Sequence, residues 1–385
     1  MVVYEPREDS FLIVDAAKKR VFGDVLEIGV GSGYVSKEMS RLDSVKKIVG
    51  VDINPKAIEY AKKNNSDKKI EYIESNLFEN VSDEFDFIVC NPPYLPDEDF
   101  SDPALFGGKK GYEYIERMIP LSLSHLKDSG ELILLFSSLT NKVEVDRIVE
   151  KNMLQSELLE EKYIGSFETL YVYSIRKRKE LIQLKKLGVE PVFFRKGKRG
   201  FIFTGSYEGK KVGIKIKNTH AETDSIYNEV NMLKKVNELC VGPKLLWSNE
   251  DIVVYEFFEG VSIGDWIVDK NKDKVIDVLR EVFDELRILD INKLDKKEMS
   301  HPHKHVLVSD KGNICLIDYE RCRLSDNLSN VTGFCQFVTS SHFGESLKKK
   351  GIIIDKEEII KLSKEYKKDY SDEAYHKLIK LIKNS

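Results

Sequence analysis

The sequence predicts an α/β domain built on a mostly parallel sheet, followed by a second domain of the α+β class. Short apolar strands alternate with amphipathic helices from Phe11 to about Ser174, which is typical of a parallel sheet covered on both faces. The pattern changes near residue 177. The chain of 385 residues also exceeds what one hydrophobic core usually serves. We therefore expect two domains.

The elements of the first domain, residues 1–177, follow a regular order. A helix is expected over residues 8–21, and strand–helix pairs follow it. The predicted strands are residues 24–30, 47–53, 69–75, 85–90, 130–136 and 169–175, and two of the helices between them are residues 33–42 and 55–65. The carboxyl ends of such strands meet at one edge of the sheet, where ligands bind.

The second domain, residues 188–385, has a different composition. A basic helical linker is predicted at residues 178–187. Residues 191–217 are typical of strands, residues 225–239 of a helix and residues 251–258 of another strand, and the sequence is then largely helical to Ser385.

The composition narrows the class of protein. Acidic and basic residues nearly cancel at a net charge of −4, so overall charge does not indicate a nucleic-acid partner. The five cysteines form no CxxC pair, which argues against a zinc site or a disulfide framework. The N-terminus lacks a signal-peptide pattern, and no apolar run approaches the ~18 residues needed to span a bilayer. We expect a soluble cytoplasmic protein.

A glycine-rich turn follows the first predicted strand. In "VLEIGVGSG", Gly29, Gly31 and Gly33 would let the backbone approach a ligand closely, and Glu27 precedes them. Asp52 ends the second strand, where a carboxylate can accept hydrogen bonds from ribose hydroxyls. This pair of features indicates a nucleotide-like ligand, although a tight turn that binds nothing is the simpler alternative.

With these features, "LEIGVGSG" and "VDINPKAIEYAKKN" resemble the class I S-adenosylmethionine-dependent methyltransferases, which have a seven-stranded, mostly parallel Rossmann-like sheet. Nicotinamide dehydrogenases fit less well because "NPPY", residues 91–94, follows the fourth strand. In methyltransferases with that motif the acceptor is a nitrogen conjugated to a carbonyl or an aromatic ring.

Such a nitrogen is a poor nucleophile, because its lone pair is delocalised. The Asn91 side chain and the Pro92 carbonyl could accept its two N–H groups and turn the lone pair toward the methyl group. Pro93 would stiffen the loop and Tyr94 would stack on the planar group. A strand ended by prolines without catalytic purpose is the alternative.

Flanking motifs narrow the resemblance. "VYEPREDSFLIVDAA", "NPPY" and "GGKKGYEYIERMIP" together resemble the archaeal and eukaryotic HemK-like methyltransferases. That family methylates the glutamine amide of the Gly-Gly-Gln motif in translation termination factors. Gly107 to Gly111 would lie near the acceptor. The resemblance implies these cofactor-binding residues: Tyr4, Pro6, Asp9, Glu27, Gly29, Gly31, Gly33, Asp52, Ile53, Asn76 and Leu77.

Asn76 departs from the family pattern, which often has an acidic residue before "LF" to hold the adenine amine. Its amide oxygen would have to serve instead, and binding would weaken. The family usually works with a small zinc-binding activator that covers an apolar strand edge, so such a partner is expected.

Adenine-N6 methyltransferases share the NPPY motif and are the alternative. They normally carry a basic face or a separate module for reading nucleic acid. A candidate face, which could also be a solvated helix, is formed by Arg176, Lys177, Arg178, Lys179, Lys185 and Lys186.

Three motifs stand out in the second half: "KRGFIFTGSYEGKKVGIKIK", "YNEVNMLKKV" and "VLVSDKGNICLIDYER". With these motifs the second half resembles an atypical, RIO-like or lipopolysaccharide-kinase-like domain of the sort archaea carry. The resemblance implies ATP and Mg²⁺ as ligands, and ribosome or RNA contact is a further possibility. The implied nucleotide-binding residues are Gly205, Lys215, Glu229, His305 and Asp318, with Asp318 as the metal ligand.

The catalytic loop strains this second resemblance. Ser300 stands at the position of the usual catalytic aspartate, and His305 at that of the metal-binding asparagine. Serine cannot act as the carboxylate, so transfer would need another base, Glu298 or His301. His301, His303 and His305 would project to one side of an extended segment and could ligate a metal, although no fourth ligand is evident. We expect one or more of them near the nucleotide phosphates, and a surface histidine cluster is the alternative. A nucleotide-binding module without transfer activity is the alternative to an active kinase.

Overall fold

In the computed structural model, the described residues are 3–96, 105–165, 167–196, 200–217 and 225–385. The chain forms two compact units, residues 1–188 and 189–385. No helix of the described part is both long and apolar enough to cross a membrane.

The first unit alternates strands and helices through most of its length. Its helices are α1 (Glu8–Lys18), α2 (Tyr34–Ser40), α3 (Pro55–Asn64), α4 (Glu113–Ser122), α5 (Lys142–Lys151) and α6 (Lys179–Lys186). Its strands are β1 (Gly23–Ile28), β2 (Val45–Asp52), β3 (Ile70–Glu74), β4 (Phe85–Cys90), β5 (Leu95–Pro96), β6 (Phe106–Gly108), β7 (Leu126–Ser137), β8 (Leu154–Ile164) and β9 (Glu168–Lys177).

Seven of these strands form one sheet in the order β3-β2-β1-β4-β7-β9-β8. The pairs from β3 to β7 are parallel, and β9 is antiparallel to both β7 and β8. The two short strands β5 and β6 pair with each other next to the carboxyl end of β4. The observed sheet has the mostly parallel, seven-stranded form expected of class I methyltransferases.

The chain order reverses at β1, since β2 lies on one side of it and β4 on the other. A crevice opens at the carboxyl ends of the strands where the order of an open α/β sheet reverses. One layer of the core consists of apolar side chains from α1, α2 and the sheet face that packs against them, and Ile133, Leu135 and Val172 are among its fully buried members.

The basic segment after β9 is mostly engaged in contacts. Lys177 is buried, and its ammonium donates to the Leu126 carbonyl. Arg176 pairs with Glu157 at 2.9 Å and Arg178 pairs with Glu180 at 3.2 Å. Only part of this segment is therefore available as a basic face, and the stretch predicted as a linker contains α6, whose Leu181 and Leu184 are buried.

The second unit begins with a five-stranded sheet in the order β10-β11-β12-β14-β13, followed by mostly helical sequence. Its strands are β10 (Val192–Lys196), β11 (Gly200–Tyr207), β12 (Lys210–Lys217), β13 (Leu245–Ser248), β14 (Ile252–Glu256), β15 (Val261–Ser262), β16 (Leu294–Asp295), β17 (Val306–Val308), β18 (Ile314–Leu316) and β19 (Arg323–Leu324). Its helices are α7 (Ser225–Glu238), α8 (Ile263–Trp266), α9 (Lys272–Ile291), α10 (Asn330–Val338), α11 (Phe343–Lys349), α12 (Lys356–Asp369) and α13 (Asp372–Lys383).

The core of the second unit is dominated by α9 and α10. Phe283 of α9 contacts Phe334 of α10 edge-on, with ring centroids 4.9 Å apart. Asp290, in the last turn of α9, accepts hydrogen bonds from Asn330 and Tyr366. Apolar packing and this buried polar network together join α12 to the helical core.

Truncating Phe136 should destabilise the first unit. Phe136 is fully buried in β7, and its ring lies 4.9 Å from that of Tyr173. We expect Phe136→Ala to cost about 3–5 kcal/mol and to lower the midpoint of one calorimetric transition by roughly 10 °C. The matched control is Val143→Ala on α5, where the side chain is 72% exposed and the cost should stay within about 0.5 kcal/mol. Equal midpoints for the two variants would contradict this view of the core.

Candidate active site

A cavity of about 550 Å³ opens at the carboxyl ends of β1, β2 and β4. Its walls include most of the residues that the sequence analysis singled out. The predicted residues that line it are Tyr4, Asp9, Glu27, Gly29, Gly31, Asp52, Ile53, Asn76, Leu77, Asn91, Pro92, Pro93 and Tyr94. Pro6 and Gly33 were also predicted as cofactor-binding residues but are not among the lining residues.

The glycines after β1 have different tasks. Gly31 has φ +53°, and a Cβ there would lie 3.3 Å from the Tyr4 carbonyl oxygen. The lack of a side chain therefore allows the backbone of the turn to pass close to Tyr4. A Cβ on Gly33 would instead lie 2.9 Å from the side chains of Ala61 and Tyr72. Gly33 therefore serves the packing of α3 and β3.

Asp52 holds the glycine turn as well as facing the cavity. Its carboxylate accepts the Gly31 N–H at 2.9 Å through one oxygen and the Asn54 N–H at 2.8 Å through the other. Remaining lone pairs can accept hydroxyl groups of a ligand. Asn76 donates its amide N–H to Glu79 at 2.8 Å, which directs its amide oxygen to other donors, as the expected adenine contact requires.

Glu27 is buried beneath the same turn and accepts the N–H and hydroxyl of Ser36. Burial raises its pKa to about 8, and the neighbouring Asp52 adds to the shift while Ser36 opposes it. A pKa raised in this way favours the protonated form of the side chain near neutral pH.

The orientation of Asn91 is set by Asp9. The Asp9 carboxylate accepts the Tyr4 hydroxyl at 2.7 Å and the Asn91 amide N–H at 3.1 Å through the same oxygen. The Asn91 Oδ1 atom is buried and has no hydrogen-bond partner within the part of the chain that the structure describes. An unsatisfied buried acceptor is costly, so this atom is positioned for a donor on a ligand.

Two glycines support the NPPY backbone from outside. A Cβ on Gly107 would lie 2.4 Å from the Pro93 carbonyl oxygen, and one on Gly111 would lie 2.5 Å from that of Tyr94. The Tyr94 carbonyl also accepts the Thr140 hydroxyl at 3.0 Å. The residues of "GGKKG" are thus adjacent to the acceptor loop because only glycine fits against it.

Several lining residues were not predicted. Tyr114 of α4 faces the cavity, and the Arg117 guanidinium lies 5.7 Å from its ring centroid. Burial raises the pKa of Tyr114 well above its usual value. The apolar periodicity of α4 shows which face is buried, but it does not show that this face borders a cavity.

A second cluster of charged groups lies in the second unit. The Lys215 ammonium of β12 lies 2.5 Å from Glu229 of α7, 3.0 Å from Glu320 and 3.5 Å from Asp318. Burial alone would lower the pKa of Lys215, but these three carboxylates raise it above its usual value. Lys215, Glu229 and Asp318 thus come together.

Gly205 is not part of the charged cluster around Lys215. It pairs with Val212 within the β11–β12 ladder, and a Cβ on it would lie 3.0 Å from the Glu190 carbonyl oxygen. Its small size therefore allows close packing against residues 189 and 190. The turn between these strands is formed by Glu208 and Gly209, both with positive φ.

The expectation that His301, His303 and His305 lie on one side of an extended segment is wrong. Pro302 begins a 3₁₀ turn over Pro302–Lys304, so the segment is not extended, and His303 lies apart from His301 and His305, which line one cleft. His301 contacts the Ser300 hydroxyl at 3.1 Å, and His303 packs edge-on against Phe337. Only His305 lies beside Asp318, with 4.0 Å between Nδ1 and the carboxylate.

Glu298 is the carboxylate nearest to this loop. It lies 3.2 Å from His305 Nε2 and 2.6 Å from the Arg321 guanidinium. Together with Ser300 and His301 these residues line a second cleft of about 520 Å³. Ser300 offers a hydroxyl only, so Glu298 is the acid available at that position.

Comparisons with known proteins agree on the first unit. Residues 8–164 match the methyltransferase small domain family. A protein of Methanocaldococcus jannaschii, provisionally named a protein N5-glutamine methyltransferase, is 45% identical over 154 residues, which are 37% of this chain and 76% of that protein. Human methyltransferase HEMK2 is 32% identical over 193 residues, 46% of this chain and 90% of its own.

Two further relatives cover less or are more distant. The release factor glutamine methyltransferase of Geobacter sulfurreducens is 33% identical, over 33% of this chain and 51% of its own length. In the solved E. cuniculi Mtq2–Trm112 complex, one chain is 26% identical with a TM-score of 0.39, over 46% of this chain and 100% of its own. That complex is described as methylating the translation termination factor eRF1.

Replacing Glu27 with glutamine should remove a pH dependence of stability. The folded protein keeps the Glu27 proton up to a pH of about 8, whereas the unfolded chain loses it near pH ~4.3. Wild-type stability should therefore fall as pH rises between these values. We expect Glu27→Gln to melt with wild type near pH 5 and roughly 5 °C above it near pH 8.

The exposed Glu59→Gln is the matched control and should follow wild type at every pH. Calorimetric melting of the cofactor-free chain measures the effect. A Glu27→Gln midpoint that falls as steeply with pH as that of wild type would refute the raised pKa.

Proposed function

This chain belongs, through its N-terminal unit, to the HemK-like protein N5-glutamine methyltransferases, and from that membership we propose that it methylates a glutamine side-chain amide of a translation termination factor. The glutamine would be that of a Gly-Gly-Gln motif. The observation that supports this most directly is Asn91, whose buried and unpartnered Oδ1 is aimed by Asp9. That arrangement suits an acceptor nitrogen with two N–H groups.

The residues of the cavity fit S-adenosylmethionine. Asp52 has lone pairs left for ribose hydroxyls, Asn76 has an amide oxygen for the adenine amine, and Gly31 leaves room for close approach. When bound, the cofactor supplies an electrophilic methyl group. The Asp9–Asn91 pair and the Tyr4 hydroxyl would lie beside it.

The chain's own residues would orient the substrate amide. Asn91 Oδ1 accepts one N–H and the Pro92 carbonyl accepts the other, which fixes the plane of the amide. Tyr94, half-buried in the cavity wall, covers that plane. Orientation is what this reaction requires, because the amide lone pair must be turned toward the methyl carbon before it can attack.

Adenine-N6 methylation of DNA or RNA is the second candidate, since an exocyclic amine also presents two N–H groups. The ion pairs of Arg176 and Arg178 and the burial of Lys177 reduce the basic face it would need. Protein glutamine is therefore the proposed acceptor, with nucleic acid as the alternative outcome of the same assay.

Substituting Asn91 should abolish most of the transfer. The full chain is offered a Gly-Gly-Gln-containing termination factor and an adenine-containing oligonucleotide in parallel, and mass spectrometry reports the added methyl group. We expect the wild-type chain to methylate the factor. Asn91→Ala should lower kcat by roughly 10²–10³-fold. Exclusive methylation of the oligonucleotide would refute the assignment of glutamine as the methyl acceptor.

Asp9→Asn tests the orientation of Asn91 separately. The variant leaves one oxygen to serve both the Ser10 N–H and the Tyr4–Asn91 side, where wild type has two. The Asn91 amide should therefore be held less firmly, and kcat should fall by roughly 10-fold or more with a smaller change in the KM of the termination factor. Glu8→Gln, at the exposed neighbouring position, is the control and should keep wild-type kcat. Unchanged kcat in Asp9→Asn would show that Asn91 needs no such support.

For the second unit we propose nucleotide binding by a kinase-like domain. The pairing of Lys215 with Glu229, and the position of Asp318 beside them, support this proposal. Lys215 would contact nucleotide phosphates and Asp318 a divalent cation. Because Ser300 cannot act as a base, Glu298 is the side chain that could orient an acceptor hydroxyl, and binding without phosphoryl transfer is the alternative.

Labelled ATP distinguishes these two readings of the second unit. With a divalent cation present, transfer should give a labelled product that Asp318→Ala loses and that the exposed control Asp310→Ala retains. Nucleotide binding with no product in wild type indicates a module without transfer activity. Absence of both binding and product would overturn the kinase-like proposal.

The edges of the seven-stranded sheet are candidate surfaces for a partner protein. In the described part of the chain, β3 and β8 are the two ends of the seven-stranded sheet, and either edge can accept an added strand. We propose that a small zinc-binding activator covers one of them. Full solubility and full activity of the purified chain alone would remove the need for it. We also propose that the second unit contacts the ribosome or RNA, which would bring the chain to the termination factor that it methylates.

A further inference from the structure

The segment that carries Asp318 has one carboxylate more than the kinase pattern. Asp318, Tyr319 and Glu320 stand where protein kinases have the Asp-Phe-Gly motif. Glycine has no side chain, whereas Glu320 brings a carboxylate to this position. The Lys215 ammonium donates a hydrogen bond to that carboxylate at 3.0 Å. The additional acid therefore contacts the lysine that would bind nucleotide phosphates.

The Lys215 ammonium is surrounded by protein carboxylates. It has three N–H donors, and Glu229 at 2.5 Å and Asp318 at 3.5 Å face it in addition to Glu320. The Lys215 side chain is only 13% exposed. Because three carboxylates match three donors, a phosphate group can reach the ammonium only if one carboxylate gives way.

Glu320 is the carboxylate that can give way. Glu229 lies on α7 with its side chain 5% exposed, and moving it would leave a buried charge without its partner. Asp318 is already 3.5 Å from the ammonium and is the proposed cation ligand. Glu320 instead lies in the turn between β18 and β19, where no helix or strand fixes its side chain.

The backbone of Glu320 is nevertheless held in place. The Asn228 side chain of α7 donates to the carbonyls of Glu320 and Cys322 at 2.7 Å and 2.9 Å. The Cys322 N–H in turn donates to the Tyr319 carbonyl at 3.0 Å. Glu320 can therefore leave Lys215 by rotation of its side chain, without movement of the chain around it.

We propose that the Glu320 carboxylate is an internal competitor for the position on Lys215 that a phosphate group would take. The contact is autoinhibitory, since a polyphosphate binds Lys215 only when the Glu320 side chain turns away. Repulsion between the carboxylates and an incoming phosphate adds to this effect. The action of the contact against nucleotides rests on the nucleotide binding proposed for the second unit.

ATP and inorganic tripolyphosphate, each added with Mg²⁺ to the full chain, are the probes, and calorimetric titration gives the Kd. Glu320→Gln keeps the shape of the side chain and removes its charge, so we expect the Kd of both probes to fall at least 10-fold. Glu229→Gln removes the same charge beside the same ammonium but also loosens Lys215, so the Kd should rise. The exposed Glu259→Gln is the matched control and should bind as wild type does.

A Kd in Glu320→Gln that is unchanged or raised would overturn the proposal, since Glu320 would then have no effect on binding or would assist it. Equal gains in Glu320→Gln and Glu229→Gln would also overturn it, because they would report net charge alone.

The two probes separate this proposal from the nucleotide function. Tripolyphosphate that binds more tightly to Glu320→Gln, with no ATP binding to any chain, leaves the contact standing and removes the nucleotide function. ATP binding with one Kd in wild type and Glu320→Gln does the reverse. Binding of neither probe to any chain overturns both proposals.

Discussion

The reversal of strand order at β1 is the constraint on which the methyltransferase unit depends. Because β2 and β4 lie on opposite sides of β1, the chain leaves the carboxyl end of the sheet in opposite directions, and a crevice must open between the departing segments. The turn after β1, Asp52 after β2 and Asn91 after β4 all end at this crevice. A parallel sheet thus collects residues from distant parts of the sequence without any of them contacting in the chain.

Within that crevice, the Asp9 carboxylate orients the side chain of Asn91. Asp9 receives a hydroxyl from Tyr4 and an amide N–H from Asn91, and the side-chain oxygen of Asn91 is left without a hydrogen-bond partner among the described residues. The amide of an asparagine can otherwise turn over and present a donor. Preorganising an acceptor in this way matters most for a reaction in which orientation, and not a strong base, lowers the barrier.

In the second unit, charged side chains cluster around Lys215. Three carboxylates face one buried ammonium, and Asp318 is the most exposed of the three. The loop that carries Asp318 is strained and is held by a buried lysine, as is common where a polar group must be kept in one position.

Local patterns predicted the strands β1, β2, β3 and β4 and the glycine turn, because apolar runs between helical periods are a property of neighbouring residues. Strand β8 was missed. Its sequence "LQSELLEEKYI" is rich in charge, and it forms a strand because β9 offers an antiparallel edge along its whole length. Gly33 and Gly205 show the same limit, since a motif indicates that glycine is needed but not whether a ligand or a packed side chain requires it.

The sequence by itself determined the methyltransferase class of the first unit, because the glycine turn, NPPY and the flanking motifs are short local patterns that can be read without the fold. Only the tertiary structure decided how those residues are aimed. Asp9 and Asn91 are 82 positions apart, and their hydrogen bond exists only after the sheet and α1 have packed. Likewise, the three alternating histidines are equivalent in the sequence, and folding around Pro302 brings only His305 beside Asp318.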